Sequence, residues 1–429
     1  MGFVVVVILL LDLSAGDTWS VKSAQMSPEQ LLFYSMLMII AIILQIFILP
    51  FVSVTAFRTK KSKSRLASAI SFLYVASNIL ILILLSCLLG EQLIFSEYHT
   101  ILSKSIIGVS LTVSTLTMLS LAFTCIKSYL STKSKIAAIY GFAMIAISLQ
   151  LIAAFLFVET SLNNKPDIIT PLRNPWSSYY FTSLLGNLLY FYKIATIISF
   201  VSVWISAVLL TKSYIKKIGK AKYFVILSIP IVYFSLQYSP VLLSITGSLS
   251  YLLMANGSFF SYLYNFVLNT AQVGAGVLFG ISFFIISKSF SNVSLKFYLV
   301  MCGVGLMIIF STSVSTSLIA SPYPAWSIAS ISFALPASFL ITMGLDYSSF
   351  RIAGDIEIRK YLARLKNEYD LLSALGSAEA SASIEKKVQN VSKQIYSSLE
   401  TETLFAAPPN SDDIQKYVKD VLIEIKSRQ

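Results

Sequence analysis

Histidine occurs once in this chain, as His99, and cysteine three times, as Cys87, Cys125 and Cys302, each inside an apolar run. A Cys/His metal site needs ligands clustered at fixed spacing, and a disulfide framework needs a pattern of paired cysteines, so both are excluded from the expected chemistry. Charge is scarce as well. Only 12% of the 429 residues are Asp, Glu, Lys or Arg, against 56% hydrophobic, and the mean hydropathy is +0.77. Such a chain cannot cover itself with a polar surface, so its solvent is expected to be lipid. No G-x-x-x-x-G-K-[ST], H-E-x-x-H or G-x-S-x-G motif occurs, which leaves no nucleotide loop, zinc helix or nucleophile elbow. The last 84 residues contain no histidine, so a histidine-kinase output is excluded too. No catalytic residue, cofactor site or metal site is expected.

What the chain has instead is a series of apolar runs, mostly of 20 residues or longer. That length matches the roughly 20 helical residues needed to cross a hydrocarbon core, whereas a transmembrane β-barrel would show short alternating segments. The expected fold is all-α: a polytopic helical membrane bundle of about nine spans with a small C-terminal cytoplasmic helical module. The spans are placed at 31–54, 66–89, 106–126, 136–158, 188–210, 223–245, 266–286, 297–319 and 326–345.

Residues 1–16 carry a short apolar core followed by small residues. They read either as a cleaved signal peptide lacking a basic n-region, or as a short retained outer segment. Residues 17–30 form an outer N-terminal segment, 31–345 the bundle and 346–429 the tail.

The net charge of +12 could suggest nucleic acid, but the distribution of charge argues otherwise. The tail holds 12 basic and 13 acidic residues, so the excess belongs to the apolar part. There, fifteen basic residues fall in alternate loops: Arg58, Lys60, Lys61, Lys63, Arg65; Lys127, Lys133, Lys135; Lys212, Lys216, Lys217, Lys220, Lys222; and Lys288, Lys296. The intervening loops carry Glu91, Glu97, Glu159 and Asp167, with only Lys104, Lys165 and Arg173 as basic residues. This is the positive-inside pattern. It predicts a multi-pass protein of the cell membrane with its N-terminus outside and its tail in the cytoplasm, partnered by the lipid bilayer and not by nucleic acid. Tyr323 and Trp326, before the last span, are expected to anchor it at the headgroups.

Within the spans no carboxylate is found, which argues against a proton pump or an intramembrane aspartyl protease. The deepest charge is Lys193, five residues into the fifth span; it can face an anion-binding cavity or, more simply, snorkel to the headgroups. Neutral polar residues are more plentiful. Asn269 and Gln272, with the hydroxyls Ser311, Thr312 and Ser315, could line a pathway for a neutral solute, although such groups more often serve packing. Gln45, Asn78 and Gln150 read the same way. Gly276 and Gly280 make a G-x-x-x-G step that fits a close helix contact, and Pro336 permits a kink.

The tail divides into three helical stretches. The first continues from the last span to about Gly376. The second places Ile384, Val388, Val391, Ile395 and Leu399 on one face, and the third follows Pro408 and Pro409 with Ile414, Val418, Val421, Leu422 and Ile425. Such stripes suit self-association or a cytoplasmic protein partner.

Residues 321–360, SPYPAWSIASISFALPASFLITMGLDYSSFRIAGDIEIRK, resemble the last span and juxtamembrane helix of uncharacterised polytopic membrane proteins of ammonia-oxidising archaea. The similar elements are Tyr323-Pro324, the exit from Gly344 to Ser349 and the step from Asp355 to Arg359. The resemblance covers about a tenth of the chain, implies a lineage, and brings no activity or catalytic residue with it.

Three readings follow. A non-enzymatic transducer or scaffold acting through the tail is favoured; a transporter or channel for a neutral or weakly anionic solute comes second. A membrane enzyme with an outer site at His99, Glu91 and Glu97 comes third.

Overall fold

The computed structural model describes residues 2–22, 28–58, 65–163, 165–169, 183–212, 215, 219–238, 271–290, 292–315, 323–364 and 370–402. In chain order these form α1 (Gly2–Lys22), α2 (Pro28–Arg58), α3 (Arg65–Ile94), β1 (Tyr98–His99), α4 (Thr100–Thr132), α5 (Lys135–Asn163) and β2 (Ile168–Ile169). Then come α6 (Ser183–Thr211), α7 (Lys220–Tyr238), α8 (Ala271–Lys288), α9 (Val293–Ser315), α10 (Ile328–Ser332), α11 (Ala334–Gly354), α12 (Ile356–Arg364) and α13 (Asp370–Glu402).

Among the described residues, seven helical stretches are long and apolar enough to cross a membrane: Pro28–Leu49, Phe72–Ile94, Thr100–Thr132, Lys135–Asn163, Leu184–Thr211, Val293–Ser313 and Ile328–Gly354. Of the remaining two expected spans, α7 begins the one at 223–245 and α8 covers most of the one at 266–286. The rest of both lies outside the described residues, as do the third tail stretch and Asn269.

The helices present apolar side chains on their outer faces as well as inside. Phe72, Phe123 and Tyr190 are each about 70% exposed, as expected where the surrounding medium is hydrocarbon. Burial therefore identifies helix–helix contacts rather than hydrophobicity. By that measure the last apolar helix is the axis of the molecule, because every residue from Tyr323 to Leu345 is buried. It is packed by α2, α3, α4, α9 and α13.

Backbones approach closely where glycines meet. A Cβ on Gly280 of α8 would lie 2.5 Å from Gly303 O of α9, and one on Gly303 would lie 2.7 Å from Gly280 O. The Gly276/Gly280 step is thus a close helix contact, as the sequence predicts. On its other side α9 meets α11, where a Cβ on Gly344 would lie 2.6 Å from Tyr298 O.

The two short strands tie together one end of the bundle. Tyr98 pairs with Ile169 and His99 with Ile168 in antiparallel register, so the α3–α4 and α5–α6 connections lie side by side. The tail helix α13 packs on α11, α4 and α5. Its Leu371, Leu372, Ala374 and Leu375 are buried.

Two boundaries differ from the sequence-based expectation. The stretch leaving the last span is not one helix: α11 ends at Gly354, and Asp355 takes an extended conformation. Its Oδ1 accepts hydrogen bonds from Glu357 N at 3.0 Å and Ile358 N at 3.1 Å, capping α12. Gly376, expected as a stop, sits inside α13. There it admits Ile352, whose Cγ2 would be 2.2 Å from an added Cβ. Packing, not chain termination, explains that glycine.

Candidate functional site

The site centres on a break in the last apolar helix. Pro336 has no N–H to give to Ser332 O, so the helix cannot run through unbroken; α10 stops at Ser332 and α11 starts at Ala334, with Phe333 between. Carbonyls at the break are met from α4. Ser110 Oγ lies 2.9 Å from Ile331 O and 3.5 Å from Ser332 O. Ser332 Oγ donates to Ala329 O at 2.5 Å and accepts from Gln45 Nε2 of α2. Interruptions of this kind are tolerated at membrane depth when neighbouring helices satisfy the backbone.

One turn away, on the side of the β1–β2 pair, α1 contributes a carboxylate. Asp12 is 3% exposed. Its Oδ2 accepts from Ser330 Oγ, and its Oδ1 lies 3.5 Å from Ser327 N. Ser327 has a left-handed backbone, φ 70°, at the start of α10. Tyr34 of α2 closes the cluster: its hydroxyl lies 3.4 Å from Ala325 O, and its ring meets Trp326 edge-on at 5.0 Å between centroids. Asp12, Tyr98 and Tyr323 lie within electrostatic reach of the Tyr34 hydroxyl, and the Gln92 side chain lies beside it. Tyr323 in turn donates to Gln92 O at 2.9 Å.

The nine expected spans hold no carboxylate and Asp12 lies outside them, yet it is buried in the bundle. The physical reason is that residues 2–22 form a helix packed on α2, α9 and α10, with Val5, Val6, Leu9 and Leu13 buried. The expected headgroup anchoring of Tyr323 and Trp326 is corrected. They are 8% and 2% exposed, because the chain before α10 turns into the bundle rather than along its surface.

Several buried polar atoms on the helices around the break have no hydrogen-bond partner: Gln45 Oε1, Asn78 Oδ1, both side-chain heteroatoms of Gln92, Ser103 Oγ and Ser327 Oγ. Their residues are fully buried. Unpartnered interior polar groups are rare and call for an explanation.

The residues singled out from sequence are not assembled into one place. Lys193 is exposed on α6, in keeping with a lysine reaching the headgroups. Ser311 Oγ donates to Met307 O at 2.8 Å and Thr312 Oγ1 to Ile309 O at 2.9 Å, so both are bound to their own helix. Gln272 and Ser315 lie on α8 and α9, but their side chains fall outside the described residues, as Asn269 does entirely. At the end bearing the strands, the Glu91 carboxylate holds His99 twice, 3.0 Å from Nδ1 and 2.9 Å from the backbone N. Among the described residues no group of three His, Cys, Asp or Glu is placed to hold a metal.

Fold and site together define an all-α, multi-pass membrane protein whose last apolar helix is broken around a buried polar centre. No family model matches the chain, and neither a curated protein nor a solved structure does.

Proposed function

We propose that this protein is a non-enzymatic membrane transducer or scaffold whose last span connects the buried polar centre to a cytoplasmic tail helix. In this reading the chain crosses the cell membrane nine times from α2 onward, entering α2 from the outside, with the basic loops and tail inside and α1 retained in the bundle. The archaeal lineage suggested by residues 321–360 belongs to the same reading. The observation that carries it is the two-part character of α13. Its first turns are buried on α11, with Gly376 against Ile352. Further along, Ile384 and Val391 are 42% and 52% exposed, an apolar stripe held at a fixed place by the bundle. Such a surface suits self-association or a protein partner.

The test uses the full chain purified in detergent. Size analysis and cross-linking are compared between the native protein and an Ile384→Asp/Val391→Asp variant. Association by the native chain that the variant loses is expected. A monomeric native chain, with no partner whose binding depends on the stripe, contradicts the reading.

A transporter or channel for a neutral or weakly anionic solute is the second reading. The broken last helix and the unpartnered polar atoms around it favour it, since solute sites of membrane bundles often form at discontinuous helices. Substrate-dependent flux in reconstituted vesicles would decide for it.

A further inference from the structure

We propose that Asp12, with Ser327, Ser330, Tyr34, Gln92 and the carbonyl of Ala325, forms an internal binding site for a sodium-like monovalent cation. The site stands on its own geometry and does not depend on whether the tail transmits a signal.

The first observation is the charge. A carboxylate 3% exposed in an apolar bundle must be paired or neutralised. Among the described residues no cationic side chain is in ion-pair contact with Asp12. The second is the donor set. The backbone N–H groups of Ser327 and Ser330 reach Asp12, and the remaining groups gathered here offer oxygen: a carboxylate, three hydroxyls, an amide carbonyl and a backbone carbonyl. Neither imidazole nor thiol is among them, which disfavours zinc and other soft metals. One carboxylate supplies one negative charge, which suits a monovalent ion better than calcium, whose sites gather several carboxylates.

The third observation is the state of the surrounding bonds. The contacts from Ser327 N to Asp12 and from Tyr34 to Ala325 O are 3.5 and 3.4 Å, at the long edge of hydrogen bonding. Ser327 Oγ has no partner, and Gln92 Oε1, on the side chain beside the Tyr34 hydroxyl, makes no well-aligned hydrogen bond. A proton on Asp12 would satisfy at most one of these acceptors. A cation would satisfy several at once and would draw the loose contacts inward. The irregular chain before α10 fits this role, because non-helical backbone at membrane depth commonly supplies carbonyls to a bound ion.

The experiment is binding of radioactive sodium ion to the full-length protein in detergent, with intact mass measured to verify that residues 1–22 are present. Saturable uptake approaching one ion per chain is expected. Unlabelled sodium should compete and choline should not. Affinity should fall at least tenfold in Asp12→Asn and several-fold in Ser327→Ala. Because Asp12→Asn can disturb folding, the native protein is also unfolded thermally in sodium chloride and in choline chloride at equal ionic strength, with stabilisation by sodium expected. No saturable binding by the native chain, unaltered binding by a folded Asp12→Asn protein, stability that responds to pH but not to sodium, or loss of residues 1–22 would each overturn the site.

Discussion

Ser110 shows how much rests on single polar atoms in this bundle. Its hydroxyl lies 2.9 Å from Ile331 O and 3.5 Å from Ser332 O, the carbonyl that Pro336 leaves without its helical donor, so Ser110→Ala removes a buried donor at the break. The expected cost is about 1–3 kcal/mol, read as a lowered unfolding temperature in detergent; no change would mean that the break is satisfied otherwise. Lys165, half-buried between α5 and β2, provides a pH-dependent case. Loss of solvent pulls its ammonium from the ordinary 10.5 down to about 8. Between those values the unfolded chain binds more protons than the folded one, so this group's contribution to stability rises with pH through the window and is flat below it. In Lys165→Met that part of the rise should vanish from unfolding curves taken between about pH 8 and pH 10. The sequence makes the kink at Pro336 legible, because proline's missing donor is a local property. Asp12 is not legible in the same way. It follows directly on the short apolar core of residues 1–16, a segment whose pattern suits a signal peptide or a retained outer segment and does not point to a buried carboxylate.

Elements in this bundle are fixed by close approaches, and these can be tested. Gly376→Leu should force α13 away from Ile352 and destabilise the docked tail by about 1–3 kcal/mol. Adding Ile352→Ala should restore part of the loss, since the two changes share one contact; limited proteolysis of the full-length protein, read as release of the tail, reports both. Gly280→Leu, placed against the backbone of Gly303, should lower the yield and unfolding temperature of the whole protein, because α8 and α9 cannot separate without disturbing α11. The pattern of apolar residues locates the long helices well, and the G-x-x-x-G step identifies a contact without naming its partner. Gly376 is misread because one glycine signals either a stop or a tight contact, and only the facing helix decides between them.

For the molecule as a whole, helix type and membrane class follow from composition, since a chain this apolar has few other solutions. Seven of the nine expected spans have helical counterparts long and apolar enough to cross. What sequence could not convey is which helix stands at the centre, because in lipid both outer and inner faces are apolar and hydrophobicity no longer marks the inside. The proposed orientation is open to cysteine labelling. On intact cells a membrane-impermeant maleimide should modify Glu97→Cys but not Lys133→Cys, and the reverse result would invert the topology. The central claim is that the last apolar helix joins the polar centre to the tail as one mechanical unit. The most direct measurement is deuterium uptake by peptides spanning residues 370–380 in the full-length protein, compared between native and Ser330→Ala chains. Faster exchange in α13 of the variant is expected, alongside the local change near Asp12. A change confined to the Asp12 region, with α13 protected as in the native chain, would contradict the coupling.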